Sequence, residues 1–131
     1  MAVHKRTCLS AGIVIREILT ANDAVRKITQ KVFPVVADKA VLPYVAYRRT
    51  QLSTESVKNG MPADTTFMEV ICYAGSYNES VDLAEAVRDA LDCRQYSSDT
   101  GLLMRSCRLT DSEEGWLNDA YMQQLIFEVK I

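Results

Sequence analysis

Hydrophobic positions along the chain follow two periods. Ala11, Val14, Ile15, Ile18 and Leu19 recur at helical spacing, with Arg16, Glu17 and Thr20 mostly on the other side. That spacing predicts an amphipathic helix over about residues 7–21. Asn22-Asp23 ends it and is placed to cap one or two further helical turns over 24–30. A second stripe, Leu83, Ala84, Val87, Ala90 and Leu91, predicts a helix that starts within residues 76–80 and ends near Asp92. Asn78 or Ser80 is its expected N-cap, and Glu79, Asp82 and Glu85 sit near the positive end of its dipole.

Elsewhere the period is two. Residues 31–37 predict a strand that Pro34 confines to an edge or a bulge. Pro43 opens a second strand over 44–52. Residues 65–74 read as the central strand, with Met68, Val70, Cys72 and Ala74 alternating with Phe67, Glu69, Ile71 and Tyr73. Both rows carry apolar residues, so both faces are expected to be covered in part. Residues 102–110 predict a strand with Leu103, Arg105, Cys107 and Leu109 on one row. Residues 120–131 predict a long last strand whose row Tyr121, Gln123, Leu125, Phe127, Val129 and Ile131 faces a core while the other row stays wet. Residues 53–64, with Asn59-Gly60 and Pro62, read as a loop. Residues 95–101 read as a turn and 111–118 as an acidic loop. The element order implies an α+β fold, an antiparallel or mixed sheet of about four to five strands packed against two helices, in a single domain over residues 1–131.

Composition changes this picture little. The chain has 131 residues, 48% of them hydrophobic and 24% charged, which places it among globular domains. No apolar run approaches the roughly 18 residues that span a bilayer. Arg16 and Glu17 interrupt the apolar stretch after the basic opening, which reads as a mature N-terminus without a signal peptide. Charge is more informative. Residues 1–65 hold 10 Lys and Arg against 5 Asp and Glu, whereas residues 66–131 hold 5 against 12. Such a split gives one molecule two unlike surfaces able to dock head to tail, or else merely solvates outer faces.

Candidate chemistry is sparse. The four cysteines, Cys8, Cys72, Cys93 and Cys107, lack metal-ligand spacing, and the one histidine is His4. Cys72 and Cys93 read as small core residues. No phosphate-binding glycine motif occurs. Glu113-Glu114 beside Gly115 reads as a solvated turn, and Glu69 as solvated or ion-paired. Arg48-Arg49, after Tyr44 and Tyr47, forms the one basic–aromatic cluster, suited to an interface or to edge-strand solubility. Trp116 is either a plug over the sheet or a contact anchor. No catalytic, cofactor-binding or metal residue is assigned. The interface candidates are Arg48, Arg49, Lys58, Asp111, Glu113, Glu114 and Trp116.

The N-terminal helix, the segment Val32–Val36 and the run Leu42-Pro43-Tyr44-Val45-Ala46-Tyr47 resemble the opening of the tail completion proteins of long-tailed bacteriophages, also called tail terminator or tail-to-head joining proteins. The strand over 66–73 leading into the helix over 80–91, with Leu83-Ala84-Glu85-Ala86-Val87-Arg88 at its centre, continues the resemblance. So do the Cys72-Tyr73-Ala74 step into Tyr77-Asn78-Glu79 and the closing strand over 121–131. The resemblance covers nearly the whole chain. It implies a structural, non-enzymatic role in a phage or prophage, capping the finished tail tube and joining it to the head. It further implies self-association in a ring, possibly a hexamer, with the tail tube protein and a head-completion protein as partners. DNA would only pass through a channel, no membrane or cofactor would be involved, and the protein would sit in the virion tail after assembly in the host cytoplasm. The alternatives are another small phage assembly protein, for head closure or the minor tail, and a small α+β ligand-binding domain.

Overall fold

Ala11, Val14, Ile15, Ile18 and Leu19 are all buried, as one helical stripe. They belong to α1 (Ala11–Ala21), which continues a single 3-10 turn over Cys8–Ser10. The computed structural model describes residues 6–36, 40–56, 62–99 and 101–131. Lys58 lies outside the described residues. Asn22 ends α1 and caps α2 (Asp23–Ile28), its Oδ1 accepting from the Val25 N–H at 3.0 Å. In α3 (Tyr77–Leu91) Leu83, Val87, Ala90 and Leu91 are buried, and Ser80 joins them. The cap of α3 is Ser76, whose Oγ accepts from the Glu79 N–H at 3.2 Å. Neither expected cap serves. Ser80 is already inside the first turn, and its hydroxyl donates to the Tyr77 carbonyl at 2.7 Å.

The described residues form seven strands, most of them where the alternation places them but with changed lengths. They are β1 (Val32–Pro34), β2 (Tyr44–Ser56), β3 (Pro62–Ala74), β4 (Tyr96–Ser97), β5 (Leu103–Met104), β6 (Ser106–Leu117) and β7 (Ala120–Lys130). Five form one mixed sheet in the order β1-β2-β3-β7-β6, parallel only between β1 and β2. β4 and β5 pair separately, inside the stretch expected to be a turn and at the start of the next strand. The fold is α+β, as its sequence implies. After β3 the chain crosses the sheet through α3 to the outer strand β6. It then turns back as β7 into the gap beside β3.

Helices cover one face of the sheet. Val45, Met68, Val70, Cys72, Cys107, Leu125, Phe127 and Val129 point into that layer, and each is at most 3% exposed. The opposite face carries its own partial cover. Tyr44 stacks on Tyr73 at 4.8 Å and meets Phe33 edge-on at 6.2 Å. Glu69 is buried there and ion-paired with Arg48.

Two stretches expected as loops hold strand among their described residues. The stretch 53–64 extends β2 to Ser56 and starts β3 at Pro62. The acidic stretch 111–118 is the outer half of β6, and every residue from Thr110 to Asp119 is exposed. Alternation fails there as a signal because neither face of β6 is covered, so nothing requires apolar residues. The overlooked signal is Asn118-Asp119, which have φ of 51° and 61° and form the two-residue turn between β6 and β7. Such tight hairpins need positive φ at both turn residues, and Asn and Asp tolerate it. A break at Arg105 also changes the expected row: Leu102, Met104 and Cys107 are buried, while Leu103 is 54% exposed. Cys93 is exposed, not a core residue, because it turns out of α3 at φ 60°.

This packing sorts large apolar residues into two kinds. Phe127→Ala is expected to destabilise the chain by about 3–5 kcal/mol, whereas Trp116→Ala, at an exposed site, costs less than about 1 kcal/mol. Urea unfolding of both variants at neutral pH checks the contrast.

Candidate functional site

The strand order puts β1 and β2 at one margin of the sheet and β6 at the other. Most of the first half of the chain therefore builds one margin, and the acidic second half builds the other. Arg48 and Arg49 stand on β2 just where β1 has ended, since β1 pairs only with Val45 to Tyr47. Asp111, Glu113, Glu114 and Trp116 stand along β6. The structure thus groups the described interface candidates into two clusters, one basic and one acidic, on opposite edges.

The basic margin borders an open cleft of about 330 Å³. Leu9, Gly12 and Val35 line it beside Tyr47, Arg48, Arg49 and Met68. Gly12 lets α1 come close to β2, because a Cβ there would lie 3.2 Å from the Tyr47 ring. Leu9 and Val35 are each 65% exposed. Val35 holds φ at 62°, a left-handed conformation that is costly for a β-branched residue. Its N–H donates to the Tyr47 carbonyl at 2.7 Å, which fixes that turn at the end of β1. Arg48 forks onto Glu69, with Nε and an Nη each 3.4 Å from a carboxylate oxygen, yet its side chain stays half exposed. Leu9 and Val35 escaped the sequence reading. The alternation of residues 31–37 suggested a longer strand, but β1 stops at Pro34 and leaves Val35 and Val36 bare.

The acidic margin ends in an ordered tip. Trp116 is 57% exposed and meets Tyr121 edge-on at 4.8 Å, and Tyr121 meets Tyr77 of α3 at 6.0 Å. This overturns the reading of Trp116 as a plug. Tyr77 donates its hydroxyl to Glu114 at 2.8 Å, and Gln123 donates to the same carboxylate at 3.1 Å. Gln123 also reaches the Ser80 hydroxyl at 3.3 Å. These bonds tie the β6–β7 hairpin to the start of α3. The bonds from Gln123 and Tyr77 hold the Glu114 carboxyl below the usual range, and Glu114 raises the Tyr77 hydroxyl in turn. Glu114 is therefore a tied residue and not a free turn acid, while Glu113 and Asp111 stay exposed.

Burial raises the pKa of the Cys72 thiol and pushes that of Cys107 up to about 12, so both are poor nucleophiles. Among the described residues no group of three His, Cys, Asp or Glu is placed to hold a metal ion, and no helix is long and apolar enough to cross a membrane.

Residues 14–131 match the family model described as tail completion protein gp17. A chain from the virion of a native gene transfer agent particle has a similar fold. It is 16% identical, with a TM-score of 0.72 over 88% of this chain and 90% of that one. No curated protein matches in sequence.

The root of the acidic strand depends on Asp92. Its Oδ1 accepts from the Leu109 N–H at 2.8 Å, and Arg88 lies 3.4 Å from its other oxygen. The Leu109 bond first, and Arg88 second, hold its carboxyl below the ordinary range. A lowered carboxyl contributes stability above its usual range and loses it as pH falls through the folded value. Asp92→Ala should therefore cost about 1–2 kcal/mol at neutral pH, and the gap from wild type should close in acid. Chemical denaturation at pH 7 and pH 3 checks both statements.

Proposed function

The chain belongs to the tail completion protein gp17 family of phage tail structural proteins, and we propose that it closes the end of a tail tube, joins it to the head, and does so as a ring of copies without catalysing a reaction. The observation that carries the ring is the placement of opposite charge on opposite sheet margins. Arg48 and Arg49 stand at one and Asp111, Glu113 and Glu114 at the other. Unlike patches on opposite sides of a molecule cannot meet within it. They meet head to tail between copies, and such a contact closes into a ring when the rotation between neighbours permits.

In this reading the tail tube protein lies on one side of the ring and a head-completion protein on the other. DNA passes through the central channel, and a hexamer is the expected count. The protein assembles in the host cytoplasm and ends in the virion tail. A ring joined by charged rims has a useful property. Rim charges speed encounter and select the partner while adding little affinity. Copies therefore stay exchangeable until a tube end presents a template.

Light scattering after size exclusion, across protein concentration and salt, tests the ring. A ring-sized species at low salt that dissociates as salt rises is the expected result, since exposed charges are screened beyond about 10 Å at 0.1 M salt. A monomer under every condition overturns self-assembly as the basis of function. Reversing Arg48 and Arg49 to Glu should weaken association by about tenfold or more. Mixing that variant with a copy carrying Asp111→Lys and Glu113→Lys should restore contact between unlike copies.

A further inference from the structure

We propose that the cleft beside Arg48 and Arg49 is the seat for Trp116 and Leu117 of a second copy of this chain. This rests on the head-to-tail reading above and specifies its contact. Both sides present apolar surface that their own fold leaves uncovered. Trp116 and Leu117 are 57% and 50% exposed at the hairpin tip, and Leu9 and Val35 are each 65% exposed at the cleft. The cleft, about 330 Å³, is of the size that takes a compact group, and the Tyr47 ring and Gly12 form part of its wall.

Charge supports the same pairing. Arg49 stands on the cleft's side of the sheet with Tyr47 and Met68, Arg48 adds its charge from the opposite face, where it pairs with Glu69, and Glu113, Glu114 and Asp119 flank the tip. An aromatic residue entering a pocket, ringed by charged groups that exclude water, is the usual form of an interface hot spot. The tip is also held ready. Tyr77 and Gln123 fix Glu114, and Tyr121 supports the indole, so little side-chain freedom is left to lose on docking.

Strand register sets the geometry. Trp116 pairs with Tyr121, which pairs with Ala74, whereas Tyr47 pairs with Val70. Tip and cleft therefore differ by the span from Val70 to Ala74, about 13 Å along the strands. Seating one in the other staggers neighbours by that amount. The sheets then incline to the ring axis, as strands do when a sheet closes into a barrel.

Trp116 is the sole tryptophan, so its own fluorescence reads the contact. In the wild-type oligomer the emission should shift to shorter wavelength and acrylamide quenching should fall several-fold relative to dilute monomer. Trp116→Ala and Leu9→Glu, both at exposed sites, should each raise the dissociation constant about tenfold or more while the monomers stay folded by circular dichroism. Each variant keeps one intact half of the contact. An equimolar mixture should therefore form dimers and nothing larger. An oligomer in which Trp116 is quenched as readily as in the monomer overturns the seat and leaves the ring standing. Wild-type chain that never associates overturns the ring itself, and the seat with it.

Discussion

The packing of one sheet face against α1 and α3 is the constraint from which the other features follow. Leu83, Val87 and Leu91 of α3 share a single core with Leu125, Phe127 and Val129 of β7, which also takes in Met68, Val70 and Cys72 of β3. Burial of this kind supplies most of the favourable free energy of a domain this size. It is also spatially confined. The helices cover the middle of the sheet and bury none of the far half of β6, which is exposed from Thr110 to Asp119 and which α3 touches through the Tyr77–Glu114 bond. A strand that is not buried is free to be charged. The acidic rim is thus a consequence of where the core ends.

Exposed strands at both margins raise the hazard of indiscriminate strand addition. The chain answers it residue by residue. β1 is three residues long and ends in Pro34, which has no N–H to offer. At the root of β6, the Leu109 N–H is taken by Asp92 and the Cys107 carbonyl by the Cys93 N–H. Farther along, the Ser112 N–H is taken by the carboxylate of Asp111 itself. With these backbone groups occupied, the proposed contact between copies would run through side chains and not through a shared ladder. Side-chain contact between charged rims is reversible and salt-sensitive, whereas a continuous ladder would be neither. That difference would separate the proposed ring from an aggregate.

The sequence disclosed the parts of this molecule that a core dictates. The stripe from Ala11 to Leu19 and the row from Gln123 to Val129 were legible because burial on one face leaves a periodic trace in residue type. The long arms of β2 and β6 were not legible, since they bury little and so carry no periodic trace. Ladder bonds and the Asn118-Asp119 turn set their structure, and the turn was the only local sign of it. The interface candidates were half legible. Arg48, Arg49 and the acidic run stood out by charge, but charge alone could not say that they lie on opposite margins. That fact is topological: it comes from α3 carrying the chain across the sheet before β6 forms. The cleft was hidden for a further reason. It exists because β1 stops at Pro34 and Val35 turns left-handed, and residues 31–37 look like an uninterrupted strand.

The tie between Glu114, Tyr77 and Gln123 connects the core to the margin. Gln123 belongs to the inward row of β7 and is buried, a position where an unpaired amide would be costly. It is satisfied by Ser80 within α3 and by Glu114 on the exposed strand. Ser80 in turn is buried in the first turn of α3, where Ser76 provides the cap. The exposed hairpin tip is thereby fastened to α3 through a chain of hydrogen bonds. A tip held this way sways less than a free hairpin would, because moving it breaks the bonds that Glu114 accepts from Gln123 and Tyr77. Orientation of Trp116 is thus set by the polar requirements of the core. A surface residue gains a fixed position at no expense in buried apolar area, and that lets a small domain present a rigid contact so far from its own centre.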